Sequence, residues 1–175
     1  MNCLVAFSGY TKSGKTTLAT NVAEALKCPL ASFGAFIRKT ADQSGFPDPT
    51  RHQLQEIGDK LARTDIERFC KAVLDSAGFK PGSPLVIDGI RHLEALTAIR
   101  NLAPNQPLKL IYTESDLASR AKRAGLTEDE MSTVDRHPVE SQSAKLRSVS
   151  DLIVSTSHSL ENSVAQILLF LASQK

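Results

Sequence analysis

The sequence predicts an α/β fold in three layers, a parallel sheet of five strands between two sheets of helices. Three observations carry that expectation. Short apolar runs alternate with longer amphipathic stretches, the pattern of βαβ units. Most of the runs are apolar throughout rather than alternating, as strands covered on both faces must be. The chain has 175 residues, 41% of them hydrophobic and 23% charged, which suits one domain with a sizeable core and excludes a disordered or collagen-like chain.

Taken in order, the strands are expected at Asn2–Ser8, Pro29–Phe33, Leu85–Asp88, Leu108–Thr113 and Asp151–Ser155. Helices are expected at Lys15–Leu26, Phe36–Ser44, Thr50–Arg63, Asp65–Ser76, Leu93–Leu102, Asp116–Arg123, Val139–Ser148 and Leu160–Ala172. The last has the plainest signal, with Leu160, Val164, Ile167, Leu168 and Leu171 at helical spacing behind an N-cap at Ser159. Between Phe33 and Leu85 the pattern is helical with no strand, more than a simple crossover requires. Glycine and proline cluster at 45–49 and 78–84, bracketing a helical insertion. The chain thus reads as a single domain with a core of 1–33, 84–115 and 149–175, an insertion at 34–83 and a lid region at 116–148.

Gly9-Tyr10-Thr11-Lys12-Ser13-Gly14-Lys15-Thr16 matches the phosphate-binding pattern G-x4-G-K-[ST], after an apolar strand and before an amphipathic helix. That context specifies a three-layer αβα P-loop NTPase fold. Glycines at both ends let the backbone curl so that its N–H groups point at an anion, and the helix adds its positive end. Gly9, Lys12, Ser13, Gly14, Lys15, Thr16 and Thr17 are therefore expected to bind ATP, with Lys15 also catalytic. Asp88 ends an apolar strand before Gly89, which puts a carboxylate on the carboxyl edge of the sheet. Thr16 and Asp88 are the expected Mg2+ ligands, oxygen donors suited to a hard cation.

Phosphoryl transfer needs cations that close over the moving group and exclude water. Arg120, Lys122, Arg123, Arg136 and His137 supply them in sequence, and Arg120 and Arg123 share a helix face. The reading assigns catalytic roles to Arg120 and Arg123 and a lid role to Arg136, with Gly125 and the polar run 127–130 forming a mobile segment.

Other features set limits. With 21 basic and 19 acidic residues, bulk charge gives no case for nucleic-acid or membrane binding. The longest apolar run, Ile167–Ala172, is too short to span a bilayer, and the amino terminus lacks a secretory pattern. Three widely spaced cysteines indicate neither a disulfide framework nor zinc, so a cytoplasmic location is expected. His52, His92, His137 and His158 show no metal spacing.

The chain resembles the nucleoside monophosphate kinase group of P-loop kinases, adenylate kinases among them. Asp88-Gly89-Ile90-Arg91 is similar to their Asp-Gly-Phe-Pro-Arg segment, with the arginine one residue earlier. Ser32-Phe33-Gly34-Ala35-Phe36-Ile37-Arg38 is similar to their Thr-Gly-Asp-x-x-Arg segment, and the stretch from Arg123 to the end resembles the tail of dephospho-coenzyme A kinases. The resemblance implies that Arg38 grips the acceptor phosphate, and Arg91, opening onto the same sheet edge, is expected to join it. The expected activity is ATP- and Mg2+-dependent phosphorylation of a small phosphorylated acceptor, a nucleoside or deoxynucleoside monophosphate first. Such an acceptor is ionised near neutral pH and needs no base. The alternatives are a hydroxyl kinase of the dephospho-coenzyme A type, which Ala35 could not serve as base, and a regulatory P-loop ATPase.

Overall fold

The computed structural model describes residues 2–157 and 159–174; His158 lies outside them. Its elements run β1 (Leu4–Gly9), α1 (Lys15–Leu26), β2 (Leu30–Ser32), α2 (Phe33–Gln43), α3 (Arg51–Thr64), α4 (Ile66–Ser76), β3 (Leu85–Asp88), α5 (Leu93–Leu102), β4 (Leu108–Glu114), α6 (Leu117–Ala124), α7 (Glu128–Asp135), α8 (Pro138–Ser148), β5 (Leu152–Ser155) and α9 (Leu160–Ala172).

The strands form one parallel sheet in the order β2-β3-β1-β4-β5. Strand alternation divides the core in two. Leu4 and Ala6 of β1 face α4 and α5 with Leu85, Ile87 and Leu110, while Val5 and Phe7 face α1 and α9 with Val86 and Ile111. Buried on both faces, the strands need the continuous apolar runs seen in the sequence. All five carboxyl ends open on one edge, and the chain reverses its direction of winding around β1, the switch point at which open α/β sheets bind ligands.

Two expected boundaries shift for local reasons. Phe33 begins a helix rather than ending a strand, because the Ser32 hydroxyl accepts a hydrogen bond from the Ala35 N–H and caps α2. The polar run at 127–130, expected as a mobile segment, instead starts α7. Thr127 and Glu130 form a reciprocal capping box, and Met131 is fully buried beneath it. Within the 34–83 segment, α4 is itself a core-layer helix through Phe69, Cys70, Val73 and Leu74. The helices that stand over the sheet edge are α2 and α3.

Candidate active site

The loop from β1 to α1 curls tightly because its glycines adopt what other residues resist. Gly9 has φ 143°, and a Cβ there would lie 2.3 Å from the Thr113 Oγ1 and 2.5 Å from the Thr113 carbonyl oxygen. Gly14, with φ 87°, is the N-cap of α1 and offers no side chain to its first N–H groups, which leaves them for an anion. Ser13 Oγ hydrogen-bonds Thr113 Oγ1 at 2.7 Å and ties the loop to β4. Lys15 is buried, and its Nζ donates to the Tyr10 carbonyl at 3.1 Å. Burial, with the charge of Arg91 beside it, lowers its pKa to about 8, against the opposing pull of Asp88 and Glu140.

Asp88 sits beside this loop because β3 pairs in register with both β1 and β2, opposite Phe7 and Ser32. Its Oδ2 accepts from the Thr16 hydroxyl at 2.9 Å and from the Ser32 hydroxyl at 3.3 Å. Its Oδ1 is buried and has no hydrogen-bond partner among the described residues. A buried carboxylate oxygen without a donor is costly unless something cationic completes it. The Thr16 hydroxyl and this oxygen are the donor set a small hard cation takes, so the residues fit Mg2+.

A cleft of about 360 Å³ opens from the loop toward α2 and α3. Arg38, Arg51 and Arg91 line it together with Lys12, Lys15, Thr16 and Asp88. Arg51 and Arg91 turn toward a group the sequence did not suggest, the Glu140 carboxylate, which is wholly buried. Its Oε1 accepts from Arg91 Nη1, from Arg51 Nη2 at 3.2 Å and from the Thr11 hydroxyl at 2.9 Å, and its Oε2 accepts from the Thr11 N–H at 3.1 Å. Burial alone would raise the Glu140 carboxyl. Arg91, Lys15 and Thr11 outweigh it and hold the group below the usual carboxylate range. A carboxylate from α8 thus joins the phosphate loop to two cleft arginines.

The cations of the lid region separate. Arg120 is held away from the cleft by a bidentate pair with Asp135, both N–O distances 2.7 Å, and lies 4.9 Å over the Tyr10 ring. Arg123 reaches the phosphate loop, donating to the Lys12 carbonyl at 3.1 Å and to the Thr156 carbonyl at 3.2 Å. Arg136 caps the carboxyl end of α7 as an exposed side chain and is not among the residues lining the cleft. Sequence reasoning passed over Arg51, Glu140, Thr11 and His92. Thr11 lies inside the phosphate-binding motif and His92 stands beside Arg91, whereas Glu140 meets its partners 49 to 129 residues away.

A parallel sheet with a phosphate loop at its switch point, a strand-end carboxylate against the loop threonine and an adjoining arginine-lined cleft define a P-loop protein. More narrowly, the chain belongs to the AAA domain family, whose match covers residues 5–146. It is similar to a cytidylate kinase from Pyrobaculum neutrophilum, 33% identical over 123 residues that cover 70% of this chain and 59% of the relative. It is also similar to a UPF0200 protein from Aeropyrum pernix, 30% identical over 91 residues that cover 52% of this chain and 48% of the relative. The matched stretches thus span less than two thirds of these curated relatives. Among solved structures, a gluconokinase from Sinorhizobium meliloti shares the fold with TM-score 0.58 at 17% identity, over 99% of this chain and 93% of its own. Among the described residues no helix is long and apolar enough to cross a membrane.

Proposed function

We propose that this chain transfers the γ-phosphoryl group of ATP, with Mg2+, to a small acceptor that already carries a phosphate, a nucleoside or deoxynucleoside monophosphate. The observation that carries the reading is the meeting of Arg38, Arg51 and Arg91 with Lys15, Thr16 and Asp88 around one cleft. Transfer between two phosphates brings several negative charges together, and only a site with cations on both sides of the reacting centre can hold them. The likeness to a cytidylate kinase supports this acceptor class.

In this reading Gly9, Lys12, Ser13, Gly14, Lys15, Thr16 and Thr17 cradle the donor phosphates through loop N–H groups, hydroxyls and the Lys15 ammonium. Bound Mg2+ would neutralise donor phosphate charge, held by the Thr16 hydroxyl and Asp88 Oδ1. Arg123, anchored over the loop on the Lys12 carbonyl, stands on the donor side, while Arg38, Arg51 and Arg91 orient the acceptor phosphate. No group needs to take a proton from an acceptor already ionised, so Ala35 at the second strand end costs nothing. Free thiols at Cys3, Cys28 and Cys70 suit a reducing cytoplasm.

The test is ADP release with ATP and Mg2+ across nucleoside monophosphates, dephospho-coenzyme A and gluconate. Arg38→Ala and Arg91→Ala are each expected to raise the acceptor KM about tenfold or more and to leave the ATP KM within about threefold. Asp88→Asn is expected to lower Mg2+-dependent turnover by roughly a hundredfold or more without lowering the Tm. Turnover of dephospho-coenzyme A alone would make this a hydroxyl kinase. ATP binding with no turnover of any acceptor would make it a regulatory nucleotide-binding protein.

A further inference from the structure

Resting on the monophosphate reading above, we infer that the acceptor's base carries an exocyclic amino group, as cytosine and adenine do, and that Asp59 recognises it. The argument begins on α3. Arg51, Gln55 and Asp59 recur every four residues, so they stack on one helix face, and all three line the cleft. At about 1.5 Å of rise per residue, Arg51 and Asp59 stand about 12 Å apart along the helix axis. That is comparable to the length of a nucleoside monophosphate from its phosphorus to the outer edge of its base.

The two ends differ in chemistry in the sense such a molecule requires. Arg51 donates to the Thr11 hydroxyl and lies against the phosphate loop. The Asp59 end lies away from the loop, and between the two ends the walls are flat and apolar. Phe33 and Phe69 meet edge to face with centroids 5.2 Å apart, and Ile37 and Ile66 flank them. Such walls take the faces of an aromatic base.

At the far end Asp59 Oδ1 is 3.7 Å from His92 Nε2. His92 Nδ1 lies 3.0 Å from the Gln142 side-chain oxygen, which leaves Nε2 on the Asp59 side. The Asp59 carboxylate only accepts, and among the described residues no side chain lies within hydrogen-bond distance to donate to it. An amino group on the base satisfies it. The O4 of uracil or thymine would set lone pair against carboxylate, and the neighbouring Gln55 amide, able to donate or accept, does not discriminate between them.

The experiment measures kcat/KM for CMP and UMP in the wild-type chain, Asp59→Asn and Arg51→Ala. The wild type should prefer CMP by about tenfold or more, the usual discrimination of one such base contact. Asp59→Asn, whose amide can turn to donate to O4, should lower CMP turnover, raise UMP turnover and bring the ratio below about threefold. Arg51→Ala should lower both substrates together and leave the ratio at its wild-type value. Equal use of CMP and UMP by the wild type overturns the inference while leaving the kinase intact. An unchanged ratio in folded Asp59→Asn overturns the role of Asp59. If that variant does not fold, the wild-type ratio and Asp59→Ser, which also removes the carboxylate, decide, the latter being expected to narrow the ratio as well. Turnover of no nucleoside monophosphate, AMP included, with ATP still bound, defeats the acceptor reading and this inference with it.

Discussion

Glu140 is the residue whose environment is most unlike anything its sequence neighbours suggest. Wholly buried, it survives as a carboxylate because two guanidinium groups and two Thr11 donors replace the water it lost. Its pKa is held below the ordinary value of 4.5, so the folded chain binds the proton more weakly than the unfolded chain does. The stability this supplies is complete above about pH 4.5 and is lost as pH falls through the depressed value. Glu140→Gln keeps the shape and removes the charge, leaving Arg51 and Arg91 facing a neutral amide. We expect it to lose about 2 kcal/mol at pH 7, by the magnitude of hydrogen bonds to charged groups. Urea unfolding at pH 7 and pH 3 checks the sign: the gap between wild type and variant must shrink at the lower pH.

Between elements, Arg120, for which the sequence suggests a catalytic role, pairs with Asp135. Arg120 is 5% exposed, and its bidentate bond to Asp135 clips α6 to the carboxyl end of α7 while its guanidinium covers Tyr10 of the phosphate loop. The bond raises the pKa of Arg120, so its guanidinium stays charged at any physiological pH. Removing one partner strands the other. Arg120→Ala is expected to destabilise the chain by about 2–4 kcal/mol, somewhat below the cost of breaking a fully buried pair because Asp135 keeps some solvent. Thermal melting alongside steady-state kinetics separates this from a direct catalytic role. A structural clip predicts a large fall in Tm, and a residue acting only on the transition state predicts an unchanged Tm with a reduced kcat. Arg123, exposed and bonded to the loop backbone, is the better candidate for the latter behaviour.

At the scale of the whole molecule, the two cores meet through the sheet, so the layers should open together. Cys70 reports on this. It is fully buried on α4, and burial first, with Glu67 adding to it, pushes its thiol up to about 12. The native thiol is therefore neutral and unreactive at pH 8. Cys28, half-exposed after α1, should be alkylated first by iodoacetamide, and Cys70 only at the rate of global opening. ATP with Mg2+, binding the folded chain alone, should slow Cys70 labelling further. Rapid Cys70 labelling in the native chain, read by mass spectrometry, would show that α4 opens locally.

What the sequence determined by itself were the features written in contiguous residues. Five apolar runs, the G-x4-G-K-[ST] loop and a strand-end aspartate were enough for the layered fold and for the place of the phosphate loop and Asp88 on its edge, because strand burial, loop curvature and helix polarity are local consequences of residue type. Even the misjudged segments had local signals: Thr127 and Glu130 form a capping box at its usual spacing, and Ser32 stands three residues before Ala35. Tertiary structure alone decided which cations face the cleft. Arg120 and Arg51 carry the same charge, yet the first is spent on Asp135 and the second lines the cleft, an outcome set by which carboxylate each finds after packing. Glu140 reaches Thr11 across 129 residues, and the meeting of Asp59 with His92 depends on how α3 lies over the end of β3. Electrostatic partnership acts over a few ångströms of space and is indifferent to distance along the chain, so no local pattern could have announced it.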